Sequence, residues 1–367
     1  MTGYETALLD WLACAAGGRE QPAARAAGRL GDRVAAAAVA GHVLDFDDTY
    51  LPGIAHLSAP VAPAALVVAA ELGASTGDAL AAYELGFEAM GAVARASHPA
   101  LYDGGWHPTA VCGAAGAAVA AAELLGAPAD AALAIALLQP IGLRAAFGSD
   151  GKSLQVGLAA AAGVRAARLA QEGAAVPLDR AVSGWESATG GTFAHADDST
   201  RAVEENWIKA WPCCLQTHGA IEAADQVRER APQGLSVTVH PVSLQAAAEG
   251  PEPADGLQAK FSIPYLTAYT LLHGPPTVES FAGVDGAAVE RARAIEVGTD
   301  RGQLESEFVL RDGGGDEIAR VEAALGSPQR PMDADALAAK LSGLTGAEPE
   351  PLDRDEPAEE LLRRFGL

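Results

Sequence analysis

TAVCGAAGAAVAAAELL, residues 109–125, reads as a single helix packed on every side. Alanine gives up no side-chain entropy in a helix. A surface of alanine and glycine lets neighbouring helices come close without large side chains between them. The same composition extends outward to Ala59–Leu72, Ala129–Leu138 and Leu154–Gln171, each ended by Gly, Pro or charge. To about Arg230 the pattern is almost wholly helical, with no strand-like alternation of useful length. The most apolar run, roughly Gly113 to Leu143, is interrupted by Glu123, Pro128, Asp130 and Pro140, too broken for a membrane span.

The character then changes. Leu235, Val237 and Val239 alternate with Ser236, Thr238 and His240, the period of a half-buried strand. Ala294–Gly298 is a short strand candidate. Glu305–Leu310 and Glu317–Glu322, joined through Asp312–Gly315, read as a β-hairpin. After Pro331 the pattern is helical again, over Asp333–Leu344 and Pro357–Phe365, with an acidic, Pro-rich surface stretch at Ala347–Pro357. The expected fold class is mainly α with a smaller α+β domain.

The chain has 367 residues, 49% hydrophobic and only 5% aromatic, and a formal charge of −23. A field of that sign repels nucleic acid and anionic membranes, so neither is an expected partner. The N-terminus carries Glu5 and Asp10 and no basic run, so the reading is cytoplasmic, without a signal peptide. Cys14, Cys112, Cys213 and Cys214 form no zinc or iron–sulfur spacing, and are read as reduced thiols. The glycines after Asp312 lie between strands and not before a helix, so they are no phosphate loop. No metal and no cofactor is expected.

Rare polar residues carry the functional signal. Of 25 basic residues only four are lysine: Lys152, Lys209, Lys260 and Lys340. His56, His107, Lys152, Lys209 and Tyr265 each fall just before or inside the first turn of a predicted helix, with Ser58 placed to cap Ala59–Leu72 and Pro108 at the first helical position. Helix N-termini carry unpaired N–H groups and partial positive charge, so they are ready anion sites. One such histidine or lysine alone is more often structural; five together suggest the basic pocket that the acidic surface lacks.

At these residues the chain resembles the MmgE/PrpD family, which includes 2-methylcitrate dehydratases, cis-aconitate decarboxylases and iminodisuccinate epimerases. The resemblance rests on GHVLDFDDT (41–49) with His56 and Ser58, GWHPTAVCGAAG (105–116), FGSDGKSLQVG (147–157), KAWPCCLQTHGAI (209–221) and FSIPYLTAYTLLHG (261–274), in family order. It implies a helical domain over 1–205, an α+β lid over 208–328 and C-terminal helices over 329–367 returning to the helical body. It also implies a homodimer with the active site between the domains and no metal. Carried over by position, the family's site residues fall on Asp45, Thr49, His56, His107, Lys152, Lys209 and Tyr265. The chain departs from the pattern at Gln155 and Cys214, where relatives have His, and at the spacing from Thr49 to His56.

The expected activity is that of a cofactor-independent lyase or isomerase. It would dehydrate, isomerise or epimerise next to a carboxylate of a small anionic di- or tricarboxylate. The alternatives are a cis-aconitate-type decarboxylase or a non-catalytic binder. Such chemistry needs a tuned acid–base group and preorganised positive charge. His107 is the first choice as base or acid, with Tyr265 as its partner. Lys152 and Lys209 would clamp carboxylates, Asp45 would orient a His or Lys, and Thr49 and His56 would hold the distal carboxylate. Gln155 and Cys214 complete the substrate-binding candidates.

Overall fold

A computed structural model describes residues 2–367 except 198, 200, 231 and 232. The chain forms two compact units: residues 1–146, 150–208 and 333–367 make the first, and 147–149 with 209–332 the second.

The first unit is helical. Pro108–Leu125 lies at its centre, packed by Ser58–Leu72, Thr76–Ser97, Ala129–Leu137 and Gly151–Gln171. By length and composition this helix could cross a membrane, but it is 78% buried inside the protein, as a core helix should be. Small residues set how closely the helices meet. A Cβ on Gly86 would lie 2.5 Å from the carbonyl oxygen of Gly116, and one on Gly116 would lie 2.7 Å from that of Gly86. The last segments return to this unit: Ala334–Thr345 packs on Gly3–Gly18, and Ala358–Arg364 on Ser58–Leu72.

No strand is expected before residue 230, yet Thr49–Tyr50 (β1) pairs antiparallel with Asn206–Trp207 (β2). Two residues are too few to show an alternation, and their partner lies some 160 positions away, so no local pattern signals the pairing. Ser58 also departs from expectation. It is the first residue inside its helix, the cap position is Leu57 with no side-chain bond, and the Ser58 hydroxyl turns to Asp48 (2.8 Å) and Tyr83 (2.6 Å).

The second unit holds a four-stranded sheet in the order β4–β3–β5–β6, where β3 is Ser236–Val239, β4 Glu296–Thr299, β5 Phe308–Arg311 and β6 Glu317–Val321. β3 and β4 run parallel and the other pairs antiparallel. Helix His218–Val227 covers β5 and β6 and packs on Ile263–His273. β5 starts at Phe308, later than expected. Before it, Glu307 N–H bonds back to Leu304 and the Glu305 carbonyl accepts from the Ser243 hydroxyl (2.7 Å), so these residues form a turn. β4 is likewise displaced toward the C-terminus, because Ala294 and Ile295 close the turns that end helix Gly286–Ala292.

The close Gly86–Gly116 approach generates a stability test. Glycine to alanine normally favours a helix by about 0.5–1 kcal/mol, and Gly184→Ala, with no atom within 4 Å of the new Cβ, should gain that much. Gly86→Ala should instead lose about 1–3 kcal/mol through overpacking. Equal denaturation midpoints for the two variants would contradict this packing.

Candidate active site

The site residues of the helical unit come from one turn and two helix starts. Helix Arg33–His42 ends, and the chain reverses at Asp45, whose φ of 54° is left-handed. Aspartate tolerates that region better than most residues. The reversal turns Asp45, Asp47 and Asp48 inward, at 3%, 0% and 0% exposure. After β1 the chain loops tightly, and Ala55 exchanges backbone hydrogen bonds with Tyr50 (2.7 and 3.2 Å). That loop returns His56 beside Thr49, and His56 N–H is tied to the Thr109 hydroxyl (3.1 Å).

Lys152 is the second residue of helix Gly151–Gln171 and is buried. Its ammonium donates to Asp45 Oδ1 (3.0 Å) and meets His42 Nε2 at 3.0 Å. His42 Nδ1 faces Asp47 Oδ2 at 2.9 Å, and His56 Nδ1 faces the same oxygen at 3.2 Å. His56 Nε2 lies 3.7 Å from Asp45 Oδ1, and Thr49 Oγ1 lies 3.5 Å from His56 Nδ1. His107 occupies the N-cap position of helix Pro108–Leu125 without a side-chain capping bond, stacks over His42 at 6.1 Å between ring centres, and meets Gln155 Nε2 at 2.6 Å through Nδ1. Thus Asp45, Thr49, His56, His107, Lys152 and Gln155 are brought together. His42 and Asp47, not singled out from the sequence, join them. Both lie in the GHVLDFDDT motif, where a histidine five residues before an aspartate was the available signal.

Charge is distributed unevenly. Burial alone would raise the Asp47 carboxyl, but His42 and His56 hold it well below the usual carboxylate range. Burial pushes the His42 imidazole down, with Asp47 opposing and the Lys152 charge adding to it. Burial, then Lys152, His42 and His56, push His107 well below the ordinary histidine value, so its ring is neutral. Asp48 is pushed up to about 7 by burial and by Asp47, although Ser58 and Asn206 (2.8 Å) donate to it.

Lys340, another of the four lysines, reaches in from the C-terminal segment. It pairs with Asp10 (2.6 Å), donates to the Phe46 carbonyl (2.8 Å) and lies over the Phe46 ring. It thereby anchors the turn that carries Asp45 and Asp47. All four lysines are buried.

Among the described residues, His42, Asp47 and His56 are grouped closely enough to hold a metal ion. Their donor atoms are engaged: Asp47 Oδ2 meets both Nδ1 atoms, and the Lys152 ammonium sits on His42 Nε2. A divalent ion there would have to displace those protons beside a fixed positive charge, so the donor set fits a hydrogen-bond network better than a metal centre.

The remaining predicted residues lie in the second unit. Lys209 and Cys214 are buried, and the Cys214 N–H donates to the Lys260 carbonyl (3.1 Å). Tyr265 is buried in the first turn of Ile263–His273, capped by Ser262, and its hydroxyl accepts from the Asp285 N–H (3.0 Å). Burial raises its phenol pKa, so it is held protonated.

The sequence matches the MmgE/PrpD N-terminal domain over residues 32–185 and the MmgE/PrpD C-terminal domain over residues 211–362. The chain belongs to the MmgE/PrpD family. Human cis-aconitate decarboxylase is 30% identical to this MmgE/PrpD member over 269 residues, covering 66% of the chain and 55% of the relative. The Aspergillus terreus cis-aconitate decarboxylase is 28% identical over 307 residues, 73% of the chain and 62% of the relative. The chain thus spans a little over half the length of these curated relatives.

Two outcomes follow from the network. The folded-state pKa of Asp48 lies above its unfolded value, so its contribution to stability is present below about pH 4 and lost as pH rises toward 7. Asp48→Asn should remove that loss, and Asn206 can present its carbonyl to the new amide by turning over. Thermal midpoints measured from pH 4 to 8 should show the variant gaining on the wild type as pH rises; parallel curves would refute the assignment. Exhaustive chelation should leave both midpoint and activity unchanged, whereas activity lost and then restored by one divalent ion would make the histidine–aspartate group a metal centre.

Proposed function

We propose that this MmgE/PrpD protein is a lyase acting at the carbon next to a carboxylate of a small di- or tricarboxylate, without metal or organic cofactor. The observation that carries the reading is Lys152. A buried ammonium at a helix start, held by Asp45 and His42 beside His107, is a preorganised positive charge in a low-dielectric setting. The N-terminus of helix Gly151–Gln171 adds to the same sign of field. Lys209 and Tyr265 enter through the family resemblance, with the protonated phenol of Tyr265 as a proton donor.

Dehydration, isomerisation and epimerisation all pass through the C–H bond next to the carboxylate, and decarboxylation ends by protonating a carbon that has lost one. Decarboxylation is the second reading, favoured by the relatives being cis-aconitate decarboxylases. A homodimer in the cytoplasm completes the proposal.

Incubating a panel of di- and tricarboxylates with the enzyme in D₂O tests it. A true substrate should gain deuterium at the carbon next to a carboxylate, or, if the second reading holds, release carbon dioxide and give a product that carries the label. Lys152→Ala should lower kcat by about 10²–10³-fold and also raise KM, because a carboxylate clamp acts in ground and transition states alike. Lys152→Gln should not restore it. Binding of carboxylates without any turnover or label would leave a binding protein in place of an enzyme.

A further inference from the structure

The His107–Gln155 contact fixes more than proximity. An amide's oxygen and nitrogen are alike in outline, so their assignment must come from partners. Here the partners are the two backbone groups of Leu143. The Leu143 N–H lies 2.9 Å from one end of the Gln155 amide, and an N–H can meet only the carbonyl oxygen. The other end is therefore the NH₂ group, and it lies 3.2 Å from the Leu143 carbonyl, which can only accept. The same NH₂ meets His107 Nδ1 at 2.6 Å. An NH₂ group has no lone pair to offer, so Nδ1 must be the acceptor and carry no proton.

Leu143 is itself held in place. The backbone of 142–144 pairs with 105–107, through His107 N–H to the Gly142 carbonyl (3.2 Å) and Arg144 N–H to the Gly105 carbonyl (2.9 Å). The amide's orientation is thus set by the same backbone pairing that places His107.

We propose that Gln155 is a positioning residue that holds His107 as the neutral Nε2–H imidazole, so that His107 donates a hydrogen bond to charge developing on a substrate oxygen and is neither the base nor the acid. The proposal rests on the lyase reading and narrows it. A base at Nε2 would need its proton on Nδ1, where Gln155 forbids it. A proton given up from Nε2 would leave an imidazolate, because nothing at Nδ1 can replace the proton. What remains is a neutral donor at a helix N-terminus, an arrangement known to polarise carbonyl and enolate oxygens in other enzymes. The charged and titratable groups around the ring fit this. Burial, then Lys152, His42 and His56, disfavour a second proton, against the opposing pull of Asp45. His42, by contrast, has Nδ1 on the Asp47 carboxylate and Nε2 on the Lys152 ammonium, so it takes the opposite tautomer.

Long-range ¹H–¹⁵N spectra of protein labelled in its eight histidines read the tautomers directly, with His107→Gln assigning the signal. At neutral pH the wild type should show His107 protonated at Nε2 alone. A proton on Nδ1, or on both nitrogens, overturns the proposal. Gln155→Glu replaces the NH₂ group by a carboxylate oxygen and should move the His107 proton to Nδ1; a proton that stays on Nε2 shows that Gln155 does not set it. In turnover, His107→Gln keeps an N–H near the Nε2 position and should retain kcat within about tenfold, while His107→Ala loses about 10²–10³-fold, the usual cost of one such donor. Equal losses in the two variants overturn the donor role. If the tautomers are found as stated but no carboxylate is turned over, the lyase reading fails and the proton assignment stands.

Discussion

Everything in the helical site depends on compensating the Lys152 ammonium where it is buried. Removing an ammonium from water costs several kcal/mol unless opposite charge and hydrogen bonds replace the solvent. Asp45 supplies the charge and His42 a neutral acceptor. Each of these is itself constrained. Asp45 reaches the lysine from a left-handed backbone turn, and His42 accepts from lysine because its other nitrogen faces Asp47. The pair is therefore the visible end of a longer chain of obligations, and removing one partner leaves a buried charge uncompensated.

The arrangement reconciles a strongly acidic protein with the anionic substrate proposed for it. With a formal charge of −23, the surface gives no general attraction to carboxylates. Positive charge is instead placed locally, in the buried Lys152, whereas arginines such as Arg33, Arg293 and Arg363, paired with Glu359, Glu252 and Glu360, lie at the surface. Surface pairs of that kind contribute little to stability. The three histidines of the site show the same economy, since one residue type meets three environments. His42 bridges carboxylate and ammonium, His56 faces a carboxylate at each ring nitrogen, and His107 meets an amide.

The tail of the chain has a part in this. Lys340 ties Asp10, in the first helix, to the Phe46 carbonyl between Asp45 and Asp47. Segments far apart in sequence thus meet at the turn that bears the carboxylates. Side chains held this way keep their geometry without local propensity, which suits a turn containing a left-handed aspartate.

Much of this was legible in the residues. Alanine-rich helices with glycine at their crossings, the change of period after Leu235, and the Pro108 and Ser262 helix starts each follow from local chemistry that no distant contact overrides. The GHVLDFDDT, GWHPTAVCGAAG and GKSLQVG motifs marked Asp45, His107 and Lys152, and the scarcity of lysine took in Lys152 and Lys340. Strands of two residues were invisible, because β1 and β2 are defined only by each other. The cap assigned to Ser58 failed because Asp48 and Tyr83 compete for its hydroxyl. Most of all, sequence named several of the titratable groups, though not His42 or Asp47, and could not say where their protons sit. That depends on which atom faces which, and only the folded chain brings Leu143 to Gln155, Gln155 to His107 and Lys152 to His42.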